Sequence, residues 1–251
     1  MDMELRQQLL MLFLGLPCGV VAVTAGGGVT LGVPLLMLTG TPAGVSVVTV
    51  KVALWAAFLT GSITHTKKVP DSAVRVPWWI WPLCLIGGVL GSRLLTTLNP
   101  QHLRGIVLAM LIASTIGTIW ATRSKKEVNR VPTQIQRATG FVVIFALAVY
   151  SGFFGAGYGV FLIWALVALH GHSPSTAAAL GTRLSLIISS ASVAVFIWHG
   201  AVPWVTTIPL AVGCAIGGIL GARAVKRLGD RVIRITTWAV SILVAVKLLV
   251  T

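Results

Sequence analysis

Two cations sit where a lipid-facing charge is least tolerable. Lys51 lies inside the apolar run Val45–Leu59, and Arg183 lies inside Ala177–Val195. A charge at the centre of a membrane-spanning helix costs ~2.5–3.5 kcal/mol on insertion scales, so it needs a partner or a wet cavity. No carboxylate is placed to pair with either one. The acidic residues, Asp2, Glu4, Asp71, Glu127 and Asp230, all fall at a terminus or in a loop. Two explanations stay open: each cation snorkels or bonds backbone carbonyls, or both face a shared cavity in which a small anion is the missing counter-charge. Each cation follows a proline of its own half, Pro42 or Pro174, at nearly the same spacing, so the two are expected at near-equivalent places.

Two glycine-rich breaks offer a second kind of anion chemistry: Gly26, Gly27 and Gly28 in one half, Gly155, Gly157 and Gly159 in the other. A helix that begins just after such a break presents unpaired N–H groups and the positive end of its dipole. Without a Cβ, the backbone can also approach a ligand closely. Thr24, Thr30 and Tyr158 flank the breaks and add hydroxyl donors. Glycine runs are also ordinary packing devices in membrane helices, and Gly87, Gly88, Gly91, Gly217, Gly218 and Gly221 are read that way. Of the five histidines, His65 and His199 end equivalent segments and could titrate near neutral pH, as gating or proton-carrying residues or simply as solvated ones. Cys18, Cys84 and Cys214 lie in apolar runs without disulfide or metal-ligand spacing. No catalytic set, metal cluster or cofactor motif is found, and no P-loop pattern.

The elements that carry these residues are set by composition. The chain has 251 residues, 56% hydrophobic and 10% charged, whereas a soluble domain carries about 25% charged residues. Too few polar groups remain to cover a water-facing surface, so lipid is the solvent. Thirteen of the 19 Lys and Arg cluster in 67–75, 123–137 and 223–234, the positive-inside signature of cytoplasmic loops. That clustering argues against nucleic acid as the partner of the +14 net charge. The first apolar run lacks the flanks of a cleaved signal peptide and is expected to be retained. Trp78, Trp79 and Trp81 read as interfacial anchors.

The chain also repeats itself. Ile86–Arg93 (IGGVLGSR) returns as Ile216–Arg223 (IGGILGAR), and the same spacing pairs Cys84 with Cys214. The expected organisation is a first transmembrane repeat at 1–122, a cytoplasmic basic linker at 123–138 and a second repeat at 139–251. Each repeat holds five apolar segments: 7–24, 29–39, 43–64, 77–97 and 104–122, then 139–154, 159–169, 175–198, 204–222 and 232–250. The second segment of each is about half a membrane long at 1.5 Å per residue, which predicts a broken or re-entrant helix. The fold class is therefore an all-α integral membrane protein of two repeats. The 67–75 loop is basic and its equivalent, 200–203, is uncharged, so the repeats are expected to be inverted, with both termini on the outer face. Inverted repeats with broken helices meeting at the midplane recur in secondary transporters.

These features resemble the TauE/SafE family of sulfite exporters and toluene-sulfonate-uptake proteins. The resemblance rests on Gly26–Gly28 with Pro34, Thr49 before Lys51, and Gly87–Arg93. The second half supplies Gly155–Gly159, Gly181-Thr182 before Arg183, and Gly217–Arg223, with Ala165 where the first half has Pro34. It covers nearly the whole chain, and it adds Thr49 and Thr182 to the candidate binding residues. It implies transport of a small sulfur oxyanion or organosulfonate, such as sulfite, thiosulfate or sulfoacetate, across a bacterial inner membrane. The expected partners are that anion and the bilayer, and a homodimer is compatible with the sequence. A passive anion channel and a proton-coupled uptake carrier are the alternatives. A membrane enzyme would need paired acids, a metal cluster or an activated nucleophile, and a metal permease would need clustered cation ligands.

Overall fold

The computed structural model describes residues 3–66, 77–99 and 133–228, with a few residues between 102 and 116. Among them all regular structure is helical. The first half gives α1 (Met3–Ala25), α2 (Gly28–Leu38), α3 (Ala43–Thr66) and α4 (Ile80–Thr97). The second gives α5 (Gln134–Phe153), α6 (Tyr158–His170), α7 (Pro174–Trp198) and α8 (Trp204–Leu228). Five helices, α1, α3, α4, α7 and α8, are long and apolar enough to cross a membrane. Segments 104–122 and 232–250, and the loop 67–75, fall largely or wholly outside the described residues. Two boundaries differ from expectation. Residues 134–138 of the predicted linker already belong to α5, and α8 continues through 223–228 of the predicted basic loop.

The helix ends follow local chemistry. The Ser173 hydroxyl accepts from the Thr176 N–H at the start of α7, with Pro174 in the first turn, where its missing N–H removes nothing. Gly171 closes α6 in the left-handed conformation at φ 73°. The sequences of α2 and α6 are apolar on every face, a pattern that calls for burial all round.

At 11 and 13 residues, α2 and α6 reach only about 17 and 20 Å, and both fold back on the helix before them. Gly28 lies beside Ala22 and Cys18 of α1, and Gly32 beside Cys18 again. In the second half the His170 ring, at the end of α6, covers Gly140 near the start of α5. The glycine breaks are thus the bends of two helical hairpins, and the short segments turn back.

The fourth helix of each half packs on the other half: α8 on α1 and α3, α4 on α5 and α7. The repeated glycines make this fit. Gly217 and Gly221 sit against Leu16–Thr24 of α1, and Gly218 against Ala57 and Thr60 of α3. Likewise Gly87 and Gly91 sit against Ala148–Phe153 of α5, and Gly88 against Ile188 and Ala191 of α7. The packing reading of these glycines is therefore the right one, and the three cysteines are buried and free.

The most buried long helices, α3 and α7, cross at the centre and run antiparallel. Lys51 approaches Phe196, Trp55 Nε1 donates to Ser190 Oγ at 2.9 Å, and Gly61 lies beside Thr182. As one number rises, its partner's falls.

Candidate anion site

The two glycine breaks meet each other. Gly26, at φ 67°, lies against Gly159 so closely that a Cβ on either would overlap the other's backbone. The Gly159 N–H donates to the Gly26 carbonyl at 3.3 Å, and the Gly157 N–H donates to Thr30 Oγ1 at 2.9 Å. A left-handed φ and a backbone-on-backbone contact both demand glycine, which explains why this residue type recurs at both bends.

Beside this junction lies a cavity of about 20 Å³, lined by Gly26, Gly28, Val29, Lys51, Leu54, Phe58, Ser151, Gly155, Tyr158 and Ser189. That is room for about one water molecule. Leu54 and Ser189 stand near the middles of α3 and α7, so the cavity is level with the centres of both long helices. Lys51 is buried at 5% exposure. Its ammonium donates to the Gly152 carbonyl in the last turn of α5 and lies 5.3 Å from the Phe196 ring centroid. The carbonyls of a last helical turn have no intrahelical partner and carry the negative end of the dipole. The carbonyl-bonding explanation thus describes Lys51 as it stands here, and Lys51 also faces the cavity.

The other expected site residues divide. Gly26, Gly28, Gly155 and Tyr158 join Lys51 on the lining. Gly157 and Gly159 belong to the interlock, as does Thr30. Gly27 is the N-cap of α2 and has no capping side chain. Thr24 and Thr182 return their hydroxyls to their own helices, to the Val20 and Ala178 carbonyls, and Thr49 is fully buried; none of the three lines the cavity.

Arg183 is half-buried on α7 and also off the lining. The reason is register. Gly88 meets Ile188 and Ala191, and Gly218 meets Ala57 and Thr60, an offset of 131 between the third helices that makes Thr182 the mate of Lys51. Arg183 is one residue further on, about 100° around the helix. His199 is exposed just after α7, with Nδ1 at 2.8 Å from the Val195 carbonyl, and is not on the lining either. His65 falls in the last turn of α3, and its side chain lies outside the described residues.

The two helix starts differ as anion donors. At α6 the N–H groups of Gly157, Tyr158, Gly159 and Val160 are all engaged, by Thr30 Oγ1 and by the carbonyls of Gly155, Gly26 and Gly157. At α2, among the described residues, the N–H groups of Gly28, Val29 and Thr30 make no protein hydrogen bond. The expectation of two equivalent open helix ends therefore narrows to one. Sequence reading missed Ser151 and Ser189, whose buried side chains line the cavity; serines in the middle of apolar helices were the available signal.

A bundle of apolar helices with two fold-back half-helices meeting at a buried cation is the architecture of a multi-pass membrane transporter. The comparisons with known proteins agree with that class. The family described as Sulfite exporter TauE/SafE matches residues 11–248, and the chain belongs to it. It is 25% identical over 248 residues to a probable membrane transporter protein of Haemophilus influenzae, covering 99% of this chain and 96% of that one. It is 25% identical over 242 residues to the probable membrane transporter protein YfcA of Escherichia coli K12, covering 94% and 87%. A probable membrane transporter protein, ORF9, of a Sinorhizobium species is 29% identical over 232 residues, covering 90% and 85%. No solved structure matches the chain.

Proposed function

We propose that this protein is a secondary carrier that exports a small anion, a sulfur oxyanion or organosulfonate, across the bacterial inner membrane, driven by the membrane potential. The observation that carries this reading is Lys51, a buried cation lining a cavity where two helix breaks meet, with no carboxylate among the lining residues. Family membership supplies the sulfur chemistry. A cavity with room for about one water molecule favours a carrier, whose site must widen to admit the anion, over a permanently open channel.

In this reading the repeats are inverted across the membrane. The antiparallel register of α3 and α7 supports that: equivalent helices running in opposite directions need a two-fold axis in the membrane plane. The basic clusters then face the cytoplasm and both termini face outward.

The test is flux of sulfite and of a short organosulfonate in proteoliposomes. Saturable flux that Lys51→Met abolishes supports the carrier. Non-saturating flux would favour the channel, and wild-type flux from Lys51→Met would remove the site.

A further inference from the structure

We infer that the cavity selects an anion headgroup carrying a single negative charge over a doubly charged one of similar shape. The inference rests on the anion-site reading above and follows from counting the charge that faces the cavity.

Lys51 is the one basic side chain among the described lining residues, and it brings one positive charge when protonated. The open start of α2 contributes about half a positive charge, and the end of α5, through the Gly152 carbonyl beside Lys51, withdraws about half. The start of α6 contributes little as a donor, since its N–H groups are engaged. Ser151 and Ser189 bring neutral hydroxyls. Arg183 stands off the lining, while Arg93 and Arg223 are exposed on α4 and α8. The sum is close to one positive charge.

A singly charged headgroup brings the site to neutrality. Its oxygens can accept from the Lys51 ammonium, the α2 N–H groups and the two serines. A dianion leaves one negative charge uncompensated against Val29, Leu54 and Phe58, which form the apolar part of the wall. An unpaired buried charge stays strongly unfavourable even after the surroundings relax. The duplication makes this single charge a matter of which residue was kept. The symmetry mate of Lys51 is Thr182, so the second half supplies a hydroxyl side chain where the first supplies an ammonium.

The experiment is calorimetric titration of the purified full-length protein with methanesulfonate and with sulfate, at one pH and fixed ionic strength. Both probes present oxygens around sulfur, and they differ by one unit of charge. Methanesulfonate should bind at least about tenfold more tightly than sulfate, and Lys51→Met should remove its binding. Sulfate binding as tightly as methanesulfonate, with both lost in Lys51→Met, would overturn the charge selection and leave the anion site standing. Binding that survives Lys51→Met, or no binding of either probe to the wild-type protein at millimolar concentration, would overturn the site and the inference together.

Discussion

A single methyl group added at Gly159 tests the interlock on which the site depends. A Cβ built there falls 2.1 Å from the Gly26 Cα and 3.0 Å from the Gly26 carbonyl carbon. Carbon atoms pack at about 3.5–4.0 Å, so the two bends would have to part by roughly 1.5 Å. No rotamer change relieves the overlap, because both sides are backbone. Parting them stretches the Gly159–Gly26 and Gly157–Thr30 hydrogen bonds, each worth about 1 kcal/mol net and more where a buried N–H loses its partner. Overpacking adds about 1–3 kcal/mol, for a total of roughly 3–5 kcal/mol. Gly181→Ala is the matched control. Its Cβ meets the Leu162 side chain at 3.5 Å, an ordinary contact, and alanine inside a helix is favoured over glycine by about 1 kcal/mol. Thermal unfolding of the purified variants in one detergent reads the difference. Gly159→Ala should unfold several degrees below wild type or fail to accumulate, and Gly181→Ala should unfold at or above it. A Gly159→Ala protein with wild-type Tm and wild-type transport would refute the interlock.

Three further outcomes are expected. In proteoliposomes Lys51→Met should reduce the initial rate of anion flux by more than about tenfold, Lys51→Arg should keep part of it, and Arg183→Met should lose less than Lys51→Met; equal losses at both positions would place Arg183 in the site. Cysteine labelling from each side of intact cells should find 67–75 and 123–137 in the cytoplasm and 200–203 outside, and labelling 67–75 and 200–203 from the same side would sink the inverted arrangement. Flux should follow an imposed potassium-diffusion potential and change little with a pH gradient. Each negative charge leaving a cell at −100 mV gains about 2.3 kcal/mol, close to a fortyfold gradient (about 1.4 kcal/mol per tenfold). Flux that tracks pH and ignores potential would point instead to His65 and His199.

What the sequence made legible is what depends on length and local residue type. The short segments after each glycine run could not span a bilayer, and they are the half-helices α2 and α6. The repeated glycines of α4 and α8 announced close helix contact, and each lies on another helix's backbone or small side chains. Lys51 stood out because a charge in an apolar run is expensive, and it lines the cavity. What stayed hidden depends on partners more than a hundred positions away. Nothing local tells that α4 packs on the second half and α8 on the first. Nothing local tells that the donors at the start of α6 are taken by Thr30 and Gly26 while those at the start of α2 stay open. Arg183 shows how small the hidden quantity can be. The fourth helices repeat at an offset of 130 and the third helices at 131, and that one residue is a rotation of about 100°. The rotation puts Thr182 at the symmetry position of Lys51 and takes Arg183 away from the lining. Duplication therefore builds a symmetric frame, but the chemistry within it is one-sided. The ammonium and the open helix start come from the first half, the serines from the second, and the interlock from both. In the proposed reading, an anion held between them would touch both repeats at once, so a rocking motion of one against the other would change its exposure from one side of the membrane to the other.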